Sequence, residues 1–244
     1  MNTKNHIPWI TPDMNFPQTN LGISDISELN GLLAASDRLD STMLIKAYKK
    51  GIFPWSGQDQ PILWWSPNPR MVLKCSDFKL RNSLKKKIKT KIKNGIKITC
   101  DLAFKEVITA CSLPRAGQKS SWITQEIINS YIKLHKKNLA HSIEVWDDLD
   151  LIGGLYIVSI GKMVFGESMF YKQSDASKIA LTALVKWLIK NEGQMIDCQQ
   201  QTQHLASFGA KPIERKKFEE LNEKLVNESE LPWSTSPLTV ETLF

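Results

Sequence analysis

Apolar residues along this chain recur at two different periods, and the switches between them mark out its elements. Over residues 41–50, Leu44, Ala47 and Tyr48 fall on one side of a predicted helix. Asp40 or Ser41 can cap its start, and Gly51 can close it in the left-handed conformation. Helical spacing returns at Leu84, Ile88 and Ile92 within 79–97, from Asp101 as cap to about Cys111, and from Thr124 to Lys137. The inner side of that last helix carries Ile127, Ile128, Tyr131, Ile132 and His135. Alternation or short apolar runs predict strands at 95–100, 141–146, 152–160 and 162–170, the last three joined by the turn residues DDLD and by Gly161. A helix over 176–191 follows, with Asp175 or Ser174 as cap and Gly193 as terminator. MIDCQ at 195–199 suits a central strand, and a last helix spans 214–227.

The first part of the chain is dense in Pro, Trp and Asn. GIFPW (51–55) and PILWWSPNPR (61–70) read as rigid loops or short extended pieces, because proline fixes the backbone and removes a donor. SLPRAGQKSS (112–121) reads as a loop. The expected organisation is a small N-terminal α+β lobe over 1–69 and a larger domain over 70–244. Three antiparallel strands, a helix, a central strand and a helix make the latter an α/β domain with a mixed sheet and flanking helices. The same order forms the core of GNAT-like acyltransferases, whose coenzyme-A-using members grip pyrophosphate with a Q/R-x-x-G-x-G/A loop that is missing here.

Composition narrows the class. With 42% hydrophobic and 23% charged residues in 244, a buried core is expected rather than disorder. No run approaches the roughly 20 apolar residues of a membrane helix, and the N-terminus has no apolar signal core, so a soluble, cytoplasmic protein is expected. Cys75, Cys100, Cys111 and Cys198 form no CxxC pair and have no His at metal spacing, which predicts reduced, buried thiols and no metal. The net charge of +7 is concentrated between Lys79 and Lys97, where no acid occurs. Such a face can simply be solvated, but close like charges also suit a polyanion such as nucleic acid. Lys85, Lys86, Lys87 and Lys89 are the candidates for backbone attraction without base reading.

Two carboxylates sit where apolar residues are expected. Asp197 interrupts Met195, Ile196 and Cys198, and either accepts core hydrogen bonds or orients and deprotonates an amine. Alternation places Gln199 on the same face. Glu167 lies in FGESMF, with Phe165 and Met169 expected on its side of the strand. It either guards a sheet edge or meets a cationic group. Trp55 and Trp122, in loops, either pack or stack on unpaired bases. Nucleotide-binding and metalloprotease signatures are missing, namely GxxxxGK[ST], GxGxxG and HExxH.

YKKGIFPW (48–55), ILWWSPNPR (62–70), SWIT (121–124), AHSIEVW (140–146), GGLY (153–156), FGESMF (165–170), ASKIAL (176–181), IDCQ (196–199) and HLASFGAKPIERKKF (204–218) resemble, in order and spacing, the leucyl/phenylalanyl-tRNA–protein transferases. The resemblance implies a GNAT-like fold and transfer of Leu, Phe or Met from aminoacyl-tRNA to proteins with N-terminal Arg or Lys, marking them for N-degron proteolysis. It implies no cofactor, and a monomer is expected. By the same resemblance Asp197 activates the acceptor amine with Gln199 as partner, and Glu167 lies in the acceptor region. Trp55 and Trp122 meet the terminal adenosine, while Leu155, Met169, Leu184 and Ile196 line the pocket for the transferred side chain. Tyr131 is counted among the substrate contacts. The sequence departs from the family at GQKSS before SWIT, which is longer than usual, and at Leu155 and Leu184, where the family also uses Met and Phe. Two other readings remain: a coenzyme-A-dependent acetyltransferase, disfavoured by the missing loop, and a non-catalytic RNA-binding module, which leaves IDCQ and FGESMF without a role.

Overall fold

A computed structural model describes residues 7–24, 26–57, 60–114 and 121–238. Most of the predicted 112–121 loop, with residues 117–120 of the GQKSS departure, lies outside them.

The Pro- and Trp-rich first part contains more regular structure than its composition suggests. β1 (Leu32–Ser36) precedes α1 (Ser41–Lys49), and β2 (Phe53–Pro54) and β3 (Ile62–Trp65) complete a small antiparallel sheet in the order β1-β3-β2. Asp40 caps α1 by accepting from the backbone N–H groups of Thr42 and Met43. Gly51 ends the helix at φ +71°, and an added Cβ there would also meet the Phe218 ring at 2.7 Å. β4 (Arg70–Lys74), which begins where PILWWSPNPR ends and is not expected from the sequence, is a largely buried strand of the main sheet.

The basic helix α2 (Asn82–Lys93) is shorter than its lysine run and buries only Ile88, with Leu84 and Ile92 partly covered. Next come β5 (Lys97–Cys100) and α3 (Phe104–Ser112). Asp101 does not cap α3: at φ 59° its carboxylate turns back to accept from the backbone N–H of Ser142 and to bond His141. Thr124 does cap α4 (Gln125–Lys136).

β6 (Ala140–Asp147), β7 (Asp150–Ile160) and β8 (Met163–Tyr171) form the expected antiparallel meander. α5 (Ala176–Lys190) then crosses the sheet to β9 (Met195–Gln199), which pairs parallel with β8 and antiparallel with β4. The short α6 (Gln203–Ala206), β10 (Lys211–Ile213), α7 (Arg215–Val226) and β11 (Ser236–Pro237) complete the chain. The main sheet runs β10-β4-β9-β8-β7-β6-β5-β11, so MIDCQ is central, as expected for a short, largely apolar run flanked by Gly193 and a polar stretch.

Two apolar layers flank this mixed α/β sheet. One joins α1, α3, α4 and the small sheet through Tyr48, Phe53, Trp64, Val107, Tyr131 and Phe165. The other joins α5 and α2 to the opposite face through Ile88, Leu155, Val164, Leu184 and Ile196. α5 crosses β7 closely because Gly153 has no side chain, and a Cβ there would lie 2.5 Å from that of Ala176. This close approach accounts for the pairing of GGLY with ASKIAL. Among the described residues no helix is long and apolar enough to cross a membrane.

Candidate active site

Among the described residues β8 and β9 are the only parallel neighbours in the main sheet, and their pairing stops at Phe165 and Asp197. Beyond that point side chains bridge the strands instead of backbone. Gln199 Nε2 donates to Glu167 Oε1 at 3.1 Å. The Tyr48 hydroxyl from α1 donates to the same oxygen at 2.7 Å, and the Tyr131 hydroxyl from α4 donates to Oε2 at 2.9 Å. The two hydroxyls also lie within hydrogen-bond distance of each other. Glu167 is therefore held by side chains from α1, α4 and β9 at the opening between two strands.

This carboxylate is half-buried, and its oxygens have room for more than these three donors. Burial pushes its pKa up to about 7, aided by the nearby Asp197 charge and opposed by the two tyrosine hydroxyls and by Arg70. Tyr48 and Tyr131 are themselves raised well above the usual tyrosine range, first by burial and then by the charge of Glu167. They remain neutral donors. Glu167 can thus exchange a proton near neutral pH.

Asp197 is placed differently from the expectation. Its side chain is 0% exposed and pairs with Arg70, also 0% exposed. Arg70 donates Nε to Oδ1 at 2.8 Å and Nη2 to Oδ2 at 2.6 Å, a two-pronged contact, while Nη1 donates to the Gly51 carbonyl at 2.9 Å. The guanidinium lies between the rings of Phe53 and Phe218, 4.6 and 4.5 Å from their centroids. Asp197 Oδ1 also accepts the backbone N–H of Gln199 at 2.9 Å. A carboxylate so enclosed does not meet an incoming amine. The sequence signal for Arg70 is the mirror image of that for Asp197: a charge directly before the apolar run Met71, Val72 and Leu73.

Local backbone irregularities break both alternation arguments. Gln199 has φ 62°, so its side chain leaves the Asp197 environment and reaches Glu167. In β8 the register with β7 shifts between Tyr156, opposite Ser168, and Ile157, opposite Gly166. Glu167 is the extra residue of this bulge. Phe165 therefore packs in the α4-side layer while Met169 packs in the α5-side layer, and the two do not share a face.

That reversal brings the four expected pocket residues together. Leu155, Leu184 and Ile196 are buried in the α5-side layer, and Met169 packs against it half-buried. Tyr131, expected as a substrate contact, instead touches Glu167 and is fully buried. Trp55 is 40% exposed, edge-on to Trp65 at 5.7 Å, and its carbonyl accepts from Trp65 Nε1. Trp122 is half-buried against the α4-side layer. Lys85, Lys86, Lys87 and Lys89 lie on the exposed side of α2. In the sequence Tyr48 is only part of an apolar helix face; nothing in its spacing points to Glu167.

The family model described as leucyl/phenylalanyl-tRNA protein transferase matches residues 72–223, and the one for the N-terminal domain of that transferase matches 37–68. The leucyl/phenylalanyl-tRNA–protein transferase of Paraburkholderia phymatum is 48% identical over 230 residues, covering 93% of this chain and 94% of its own length. That of Bordetella avium is 45% identical over 238 residues, covering 95% and 94%. Among solved structures, L-PGS from Bacillus licheniformis is 11% identical with a TM-score of 0.39, covering 84% of this chain and 67% of its own.

Proposed function

Because the chain belongs to the leucyl/phenylalanyl-tRNA protein transferase family, and its members are aminoacyl-tRNA–protein transferases, we propose that it moves Leu, Phe and Met from aminoacyl-tRNA to proteins whose N-terminal residue is Arg or Lys, acting in the cytoplasm as a monomer and marking those proteins for N-degron proteolysis. The observation that carries the chemistry is the Glu167 carboxylate, held between two strands by Tyr48, Tyr131 and Gln199.

The donor ester is already activated, so the reaction needs a positioned amine and a route for one proton. An α-ammonium has a pKa of roughly 8. Glu167, poised near 7, accepts its proton or holds the amine against the ester carbon. The amine nitrogen bonds to the carbonyl carbon, the carbon–oxygen bond to the terminal ribose breaks, and the ribose oxygen takes up the proton. Asp197 acts at one remove: paired with Arg70, it holds the Gln199 backbone in the conformation that lets the Gln199 amide reach Glu167. Gln199 orients Glu167, and Tyr131 does so from the other side.

The apolar side chains of Leu155, Met169, Leu184 and Ile196 would receive the transferred residue. Such surfaces distinguish ligands by only about 1–3 kcal/mol per methylene, which suits tolerance of Leu, Phe and Met. The negative charge of Glu167 also suits a basic N-terminal residue. Trp55, with its exposed face, and Trp122 would stack on the terminal adenosine. We treat 1–69 as the lobe that supplies Tyr48 and Trp55, and 70–244 as the catalytic domain.

Lys85, Lys86, Lys87 and Lys89 would hold the acceptor stem by charge. Changing the first three together to Glu is expected to weaken RNA affinity and to flatten its salt dependence, by about 0.9 in log–log slope for each phosphate no longer neutralised. An unchanged slope in a filter-binding titration would refute that role. The activity itself is tested with Phe-tRNA bearing labelled Phe and an acceptor protein with N-terminal Arg. Label should enter the acceptor, and ribonuclease pretreatment of the donor should abolish it; acceptor labelling from acetyl-CoA instead would overturn the reading.

A further inference from the structure

The buried face of α7 meets both arms of the cage around Glu167. Phe218 lies against the Arg70 guanidinium, 4.5 Å from its ring centroid, and so against the ion pair that holds the Gln199 backbone. One turn later Asn222, 1% exposed, reaches the end of α1. Its Nδ2 donates to the Tyr48 and Lys49 carbonyls, both at 3.1 Å. The amide can face only this way, because carbonyls accept and Nδ2 is its donating end. Tyr48 is also the residue whose hydroxyl donates to Glu167 at 2.7 Å. Its backbone is thus held by α7 while its side chain holds β8.

Asn222 does more than fill space. The other buried apolar residues of α7 are Phe218, Leu225 and Val226, company that a leucine would suit equally well. Oδ1 of Asn222 is buried with no hydrogen-bond partner among the described residues, so the amide carries a desolvation cost that an apolar side chain avoids. What only the amide supplies is the pair of bonds to the last turn of α1. Carbonyls at a helix end have no partner inside the helix, and the chain leaves α1 through Gly51 at φ +71°. The Tyr48 ring packs beside Phe165, with 4.8 Å between centroids, and is fully buried. In so close-packed a setting a shift of the α1 end is passed on to the hydroxyl.

We propose that Asn222 is a positioning residue for the transfer reaction: by gripping the Tyr48 and Lys49 carbonyls, it sets how closely the Tyr48 hydroxyl approaches Glu167. The inference rests on Glu167 being the proton acceptor. The Tyr48 hydroxyl holds the Glu167 carboxyl down against the rise that burial causes. Loosening that bond lets the carboxyl climb further.

Asn222→Leu keeps most of the volume and removes both donors. It is expected to lower kcat about tenfold, the worth of a hydrogen bond to a charged group, with KM for Phe-tRNA unchanged and the neutral-pH limb moved to higher pH. In a Tyr48→Phe background the same change should have no further effect on kcat or on the limb, because the hydroxyl it positions is gone. A further loss there, or a lowered Tm with kcat and limb unmoved, would make Asn222 a helix-end partner only and overturn the proposal. Asn222→Thr, which keeps one donor, is a milder second variant on which the same comparison is read. Titration of Glu167 itself, followed by NMR of isotope-labelled glutamate carboxyls and assigned with Glu167→Gln, separates this claim from the activity. A midpoint raised by Asn222→Leu in a protein that transfers nothing would leave the positioning role standing and remove the transferase reading. An unmoved midpoint removes the role whatever the activity.

Discussion

Glu167→Gln is expected to lower kcat/KM for transfer by roughly 10²–10⁴-fold, the usual contribution of a positioned acid–base group, while affinity for the donor RNA stays near that of the wild type. Glu167 is held by three donors from α1, α4 and β9, and the amide of the variant keeps the shape while losing the proton site. Because burial holds the carboxyl at about 7, wild-type kcat/KM should climb as pH rises through that value, and the variant should lack the limb. Stability carries a second signature of the same group. Its folded pKa lies above the unfolded value of roughly 4.3, so its favourable contribution is complete below that value and is lost as pH rises through about 7. Denaturant melts at pH 5 and pH 8 should therefore show a loss of stability in the wild type that is smaller in Glu167→Gln. A variant that retains both the rate and the neutral-pH limb would rule Glu167 out as the proton acceptor.

Asp197→Ala should unfold the protein more readily by about 3–5 kcal/mol, since it strands the Arg70 guanidinium in an environment where both partners are 0% exposed. For a chain of this size that corresponds to a fall in Tm of roughly 10 °C. Transfer should be lost as well, together with part of the donor affinity, because Arg70 also ties β4 to the carbonyl of Gly51, the first residue of GIFPW. A group that met only the amine would instead leave stability and RNA binding intact. The double variant Arg70→Met with Asp197→Leu separates fold from positioning. Replacing a buried ion pair by apolar side chains of similar size often restores stability. It does not restore the acceptor that holds the Gln199 N–H. Recovered Tm with transfer still abolished is the expected result, and recovered transfer would show the pair to be structural only.

The two functional carboxylates differ in how far sequence reasoning could take them. Both stand out as charges within apolar runs, and both are at the centre of the structure. Their roles nevertheless separate, because Asp197 has Arg70 as a neighbour 127 residues away in sequence and Glu167 has two tyrosine hydroxyls. Strand alternation also misleads at this point. A bulge at Glu167 and a left-handed residue at Gln199 each reverse the faces downstream. These irregularities leave no mark in hydrophobic periodicity, which averages over several residues. Short strands such as β4, which directly follows Pro69, and β10, which contains Pro212, escape for a related reason: a few residues beside or around a proline carry too little pattern.

What this sequence determined unaided is its long elements and their order. α4, the meander β6 to β8, α5, β9 and α7 were legible because each repeats its apolar period over enough residues to exclude the alternatives. The motifs carried the family in the same way, through residue identity and spacing. Which carboxylate is enclosed and which is open was decided only by tertiary structure. The pKa and reach of an acid depend on neighbours brought from α1, β4 and α4, and on whether water is excluded around it, and neither condition is encoded in the residues adjacent to it along the chain.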